Sequence, residues 1–419
     1  MDADRGGDIM KILRPSNILI PRVADMTAWS VVACDQFTSE PEYWQAVYDR
    51  VGDKPSALRM ILPEAELGFK DPASESEKIY RTMSDYLNNG VFTELENSYI
   101  YLERKLSCGA VRRGIIAALD LECYDWAEGT HTPVRATEHT VEDRLPPRVT
   151  VREKALLEMP HIMVFIDDPD DHVFSSVKKG DLLYDFELMQ SGGHVTGYEV
   201  SDTAALDEAF ESLSQSDELI KKYGTDSDPV IFAMGDGNHS IAAAKKYWEQ
   251  VKMTLPVSER EMHPARFALC EIVNIHDESI VFEPIHKLVY NTYPNLFFAF
   301  AEEYFADKTG SGKTIELVCG EKRKKLEIAD MTLGQLIDSC EKLCAGYTAN
   351  FGGSIDYIHG DDAIRSLAGK ENSAGIMLPR LEKNELFASV MQSGPFPKKS
   401  FSIGHGQDKR YYLECRRIK

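Results

Sequence analysis

Apolar and polar positions along this chain follow two different periods, and the switches between them mark out its elements. Short apolar runs bounded by Gly, Pro, Asn or Asp predict strands over Ser98–Arg104, Gly114–Leu121, His161–Asp167, Leu182–Leu188 and Val230–Met234. Runs over Ala265–Ile275, Ile280–Tyr290, Ala374–Leu378 and Tyr411–Arg416 read the same way, and Lys313–Val318 with Lys325–Ile328 flank Cys319–Lys322 as a hairpin. Helical spacing and capping signals fill the intervals. Ser39-Glu40-Pro41-Glu42 opens a helix through about Arg50, Ser74–Glu77 opens one that ends at Asn88-Asn89-Gly90, and Thr150 with Glu153 opens a third that stops at Met159-Pro160. Asp202–Tyr223 reads as one long helix, with Asn295–Ala306 and Leu333–Cys344 as two more. Strands and helices interleave without a strict βαβ rhythm. The pattern therefore predicts an α+β fold, mixed α/β sheets with flanking helices, rather than a regular doubly wound Rossmann fold. Residues 1–11 read as a disordered leader, 12–306 as the main α/β domain and 307–419 as a C-terminal α/β segment packing on it, with the break where Asp307–Gly312 changes composition.

One junction concentrates chemistry. The apolar run Val230–Met234 stops at Gly235-Asp236-Gly237-Asn238-His239-Ser240, and an alanine-rich amphipathic helix follows at once. An acid, an amide, an imidazole and a hydroxyl thus stand between a strand end and a helix start. Two glycines let backbone approach a ligand, and the first turn of the helix offers N–H groups and partial positive charge to a phosphate or carboxylate. The competing reading makes Asn238 or Ser240 a plain N-cap and Asp236-Gly237 a turn.

Arg135-Ala136-Thr137-Glu138-His139-Thr140, running on to Arg144, is a second polar cluster. Its guanidiniums suit an anion and Glu138 suits a base or Mg²⁺ ligand, against the alternative of a salt-bridged loop. His286, flanked by apolar residues, reads as a core histidine or a site residue, and Asp167–Asp171 as a charged turn. Gly310-Ser311-Gly312-Lys313-Thr314 is no P-loop: Asp307 stands where that motif needs glycine, and a strand follows.

At 419 residues the chain can bury a substantial core, and it has no apolar stretch long enough to span a membrane. A net charge of −21 argues against nucleic acid as a partner. Within Pro397–Lys419, however, seven Lys or Arg face two acids. That tail reads either as a solvated strand pair salt-bridged to the acidic body or as an anion site at Lys398, Lys399 and Ser400. Eight scattered cysteines without a CxxC pair make structural zinc improbable and fit a reducing cytoplasm.

The chain resembles a widespread bacterial and archaeal family known as domain of unknown function 1015. The resemblance runs through Leu13-Arg14-Pro15, Arg112-Arg113-Gly114-Ile115, Arg135–Arg144, Gly235–Ser240, His286-Lys287 and Lys398-Lys399-Ser400. It implies no activity. The Asp-Gly-x-His segment entering a helix also resembles the phosphate-binding turn of the ParB/sulfiredoxin-like superfamily, which includes nucleotide-using enzymes and free-serine kinases. Gly237, Asn238 and His239 match the Gly-x-His-Arg turn that holds nucleotide phosphates there, while Ser240 stands in place of the arginine. Arg135, Arg144 or Lys398 would then have to supply the charge.

The expectation is a cytoplasmic enzyme binding a small anionic metabolite, extending to a phosphotransferase that uses ATP or ADP with Mg²⁺. Asp236 and Glu138 would hold Mg²⁺ or take a proton, and His239 would polarise or shuttle one. Gly235, Gly237, Asn238, Ser240, Arg135, Thr137, Arg144, His286, Lys398, Lys399 and Ser400 would bind the ligand. Two alternatives are a non-catalytic nucleotide- or amino-acid-binding regulatory module and a metal-assisted hydrolase using Asp236, His239 and His286.

Overall fold

The long apolar runs in the first two-thirds of the chain become strands of one mixed sheet. The computed structural model describes residues 11–67, 69–159, 161–224, 228–329 and 331–419; of the expected leader, 1–10 lie outside the described residues. The sheet runs in the order Lys179–Glu187, His194–Val200, Ile100–Lys105, Val111–Asp120, Phe267–Asn274, Met163–Ile166, Phe232–Asp236, Val134–Arg135 and Tyr124–Asp125, with Leu13–Arg14 added on Val111–Asp120. Both faces of its centre are covered: every residue of Phe267–Asn274 is buried, Glu271 and Asn274 included.

Alternate residues feed two different cores. Val164, Ile166, Phe232 and Met234 pack under the helix Asn238–Thr254, which buries Ile241, Ala242, Ala243, Ala244, Tyr247 and Trp248. Met163, Phe165 and Ala233 point the other way, into a core shared with Phe297, Leu336 and Phe396. That second core is built on an antiparallel sheet ordered Lys322–Ala329, Gly312–Cys319, Ser373–Met377, Phe282–Tyr290 and Ser354–His359, with Phe401–Ile403 paired to the start of Phe282–Tyr290. Strands from both sides of the 306/307 break therefore share one sheet. Beyond it the chain returns: Tyr411–Tyr412 pairs with Val31–Val32, and Arg416–Arg417 with Leu157–Glu158.

The architecture is α+β, as the pattern predicts, but several element ends move. The helix expected to open at Thr150 spans Leu145–Lys154, because Pro146 and Pro147 fit a first turn where a missing N–H costs nothing. Asp71, not Ser74, caps the helix Pro72–Asn88, its side chain accepting from the Ser74 N–H. The single helix expected over Asp202–Tyr223 is two, Thr203–Ser212 and Ser216–Tyr223. Ser212 and Ser214 hydroxyls bond back to the Ala209 and Glu211 carbonyls, competing with the helical ladder. The reading of the basic tail as solvated is also corrected. Its salt bridges are present but buried: Arg410 pairs with Glu271 and Glu414, and Arg416 with Glu158.

Candidate functional site

Register brings the two polar clusters together. Phe232–Asp236 runs parallel to Val134–Arg135 with Phe232 opposite Val134 and Ala233 opposite Arg135. Beyond Arg135 the ladder ends and Glu138 forms an isolated bridge with Phe396, close enough to Asp236 for the two carboxyls to interact. Two contacts tie the segments together: the Val141 N–H donates to His239 Nε2 at 3.2 Å, and the Thr137 hydroxyl donates to the Met234 carbonyl at 2.5 Å. On the other flank Met163 stands opposite Asp236, which places His161 and Ile162 against the turn.

The turn itself is tight. Gly237 is the helix N-cap at φ +78°, a left-handed conformation that favours glycine, and a Cβ there would lie 3.0 Å from Ile162 Cα. A Cβ on Gly235 would lie 2.8 Å from the Phe165 ring. The plain capping reading finds no support in side-chain bonds: no side chain caps this helix, and Asn238 Oδ1 is buried without a hydrogen-bond partner. Asp236 Oδ1 accepts from the Gly237 N–H at 2.8 Å, and Asp236 Oδ2 meets Lys409 Nζ at 3.1 Å.

These surroundings set the charges. Burial works against ionised Asp236, but Lys409 and His161 outweigh it and hold the carboxyl below its ordinary value. Glu138 goes the other way: burial, with the nearby Asp236 charge adding to it, lifts its carboxyl to about 7 against the pull of the Ser400 N–H, Lys409 and Lys287. Burial and the cationic Arg148 and Arg144 push His239 down to about 4, so at neutral pH it is an uncharged imidazole. With Nε2 accepting from Val141, the proton sits on Nδ1. Two carboxyls shifted in opposite directions beside one lysine form an acid/base pattern.

Other candidates are elsewhere or otherwise engaged. The Arg135 guanidinium is spent on the Thr132 and Asp228 carbonyls, at 2.8 and 2.6 Å. Thr137 is a buried strand tie. His286 lies in the second sheet, bonded to Asp361 at 3.0 Å and accepting from the Leu378 N–H at 3.1 Å, so it does not converge with Asp236 and His239. Among the described residues no group of three or more His, Cys, Asp and Glu side chains is placed to hold a metal ion. Lys398 and Lys399 are exposed, whereas Ser400 is buried and comes to the site through its backbone N–H. Arg144 is exposed beside His239.

Three functional contacts escape the sequence reading. Lys409 belongs to the basic tail but is placed by tertiary structure: Arg104 donates to the carbonyls of Gln407, Asp408 and Lys409, and Arg112 to that of Asp408. His161 opens an apolar run, with nothing local to mark it. Tyr412 lies in the last strands. These two join Ser240: the Ser240 hydroxyl meets His161 Nε2 at 3.0 Å, and His161 Nδ1 meets the Tyr412 oxygen at 2.9 Å.

Residues 13–392 match the family described as protein of unknown function (DUF1015), and the chain belongs to that family. Comparison with curated proteins gives no match. Among solved structures, the chain is similar to a free serine kinase in complex with AMP, at 10% identity and TM-score 0.37, over 72% of this chain and 92% of that one. SbnI with a C-terminal truncation from Staphylococcus aureus matches at 11% identity and TM-score 0.34, over 69% and 83%. A conserved hypothetical protein from Pyrococcus furiosus matches at 11% and 0.32, over 69% and 90%.

Proposed function

We infer that the junction of Gly235–Ser240 with Glu138 and Lys409 binds the phosphates of a nucleotide and that the protein is a nucleotide-dependent phosphotransferase. The observation that supports it is the pairing of a depressed Asp236 with a raised Glu138 at a glycine-flanked helix start whose Asn238 oxygen has no protein partner. The first N–H groups of the helix and Lys409 would carry phosphate charge. Asp236 suits Mg²⁺, which keeps most of its waters and takes one or two carboxylates plus phosphate oxygens, and this leaves Glu138 as the base. Glu138, titrating at about 7, would take the acceptor hydroxyl's proton as its oxygen bonds to phosphorus and the bond to the nucleoside diphosphate breaks. His239 would donate its Nδ1–H to a phosphate oxygen.

A thermal-shift titration with ATP and ADP, with and without Mg²⁺, tests this reading. Ligand at a hundred times its Kd stabilises the native state by about 2.7 kcal/mol. Asp236→Asn and His239→Ala should abolish turnover and the shift while keeping a cooperative melt. Unchanged shifts in both variants, or silence of the parent protein, would sink the assignment. A shift without consumption of nucleotide would favour a regulatory binding module.

A further inference from the structure

A chain of hydrogen bonds runs from the turn into the protein. The Ser240 hydroxyl meets His161 Nε2 at 3.0 Å, and His161 Nδ1 meets the Tyr412 oxygen at 2.9 Å. The single Tyr412 proton is directed at Cys34 Sγ, 3.1 Å away. The Tyr412 oxygen therefore accepts from His161 Nδ1, which fixes the tautomer and leaves Nε2 to accept from Ser240. A hydroxyl on the bare nitrogen of an imidazole whose other nitrogen is held by a buried group is the arrangement that activates a serine nucleophile. Asp35 Oδ2 lies 4.0 Å from His161 Nε2, and Asp236 is close enough to interact with the same ring, so an imidazolium formed there faces two acids. Cys34 is not the nucleophile, because burial lifts its thiol to about 11.

Ser240, His161 and Tyr412 all line one cavity of about 220 Å³. The rest of its wall is mainly apolar, with Met60, Leu62, Met83, Val151, Ala243 and Leu269. Charges in that wall cancel, since Arg148 pairs with Glu64 and Arg152 with Glu158. An apolar space with no charge to spare suits an uncharged chain rather than an ion. A 150 Å³ cavity takes benzene, so this one has room for an acyl group of roughly four to six carbons. Ser240 is the third residue of the helix Asn238–Thr254, where the partial positive charge of the helix start favours an oxyanion on the carbonyl it attacks.

We propose that Ser240 and His161 form a nucleophile–base pair that hydrolyses carboxylic esters of short apolar acyl groups, with the cavity as the acyl site and Tyr412 as a positioning residue. Ser240 Oγ bonds to the ester carbonyl carbon as its proton passes to His161 Nε2. The bond from that carbon to the alcohol oxygen then breaks, and the alcohol leaves with the proton from Nε2. Water, deprotonated by the same nitrogen, splits the acyl-serine and releases the carboxylic acid. The activity needs no nucleotide and does not rest on the phosphate reading.

The test uses the full chain without nucleotide. p-Nitrophenyl butyrate should be hydrolysed with saturation, its kcat/KM at least ten times that of the decanoate, whose chain exceeds the cavity. Diethyl p-nitrophenyl phosphate, which modifies activated serines, should stop this turnover and add one diethylphosphoryl group, mapped by mass spectrometry to Ser240. Ser240→Ala should abolish turnover and label, and His161→Gln should lower kcat by about 10²–10⁴. Tyr412→Phe should lower kcat with KM little changed and shift the rising limb of the pH profile. Labelling of the unaltered chain needs no variant and decides the matter should one misfold. Absence of hydrolysis, a label on another residue, or unchanged turnover in Ser240→Ala would overturn the proposal. If the ester is cleaved while ADP gives no thermal shift, this site stands and the phosphate reading falls.

Discussion

Glu138 and Asp236 are both carboxylates, yet their surroundings drive them apart, and a substitution at Glu138 separates chemistry from stability. A general base must be ionised, so turnover should rise as pH passes through about 7, the value burial gives Glu138. Glu138→Gln should cost about 10²–10⁴ in rate and remove that rising limb. Stability moves oppositely. A carboxyl raised on folding contributes stability that is present below its ordinary value and is lost as pH climbs through about 7. The glutamine variant should therefore melt no lower than the parent at pH 8 while turning over far more slowly. A lower melting temperature at pH 8, or an unchanged pH profile, would show that Glu138 is a structural group. Asp236, Asn238 and His239 could be picked out from sequence because they crowd one strand–helix junction. Lys409 and His161 could not, since their partner in charge lies 173 and 75 positions away along the chain.

At the scale of the element, the strand Phe232–Asp236 and helix Asn238–Thr254 are joined through one residue, Gly237. Gly237→Ala places a side chain in the left-handed region, which by itself costs about 1–2 kcal/mol, and against Ile162 backbone at 3.0 Å, which adds to that cost. Gly224 is the control, since at φ +74° its substituent would meet open space, leaving only the backbone cost of about 1–2 kcal/mol. Equal denaturation midpoints for the two variants would remove the argument for close packing of the turn on Ile162. The junction was legible because the apolar run ends at a glycine and an alanine-rich segment follows. The helix ends at 145 and 212 were not, because prolines in a first turn and serines bonding back to the chain decide them locally, against the capping pattern.

For the whole molecule, the C-terminal residues act as a clasp. Trp29 Nε1 donates to the Leu413 carbonyl at 3.0 Å, Leu19 and Cys415 exchange backbone bonds, and Arg410 meets Glu271 at 2.6 Å in the core. Deleting residues 404–419 would strip Asp236 of Lys409 and leave Glu271, Arg104 and Glu158 buried without partners they now hold. Breaking one buried ion pair costs about 3–5 kcal/mol, comparable with the stability of an ordinary domain. The truncated chain should lose its cooperative melt by circular dichroism, and a sharp transition at the parent's temperature would refute the clasp.

The sequence alone determined the α+β class, the position of most strands and the Gly235–Ser240 junction, because apolar period, glycines and caps act over neighbouring residues. Among the described residues, only the tertiary structure decided which strands pair, hence that Glu138 and Asp236 meet at one junction, that Arg135 and His286 turn away, and that Lys409 arrives from the far end. Those outcomes depend on sheet register and on buried ion pairs between distant segments, and neither leaves a periodic trace in the chain that makes them.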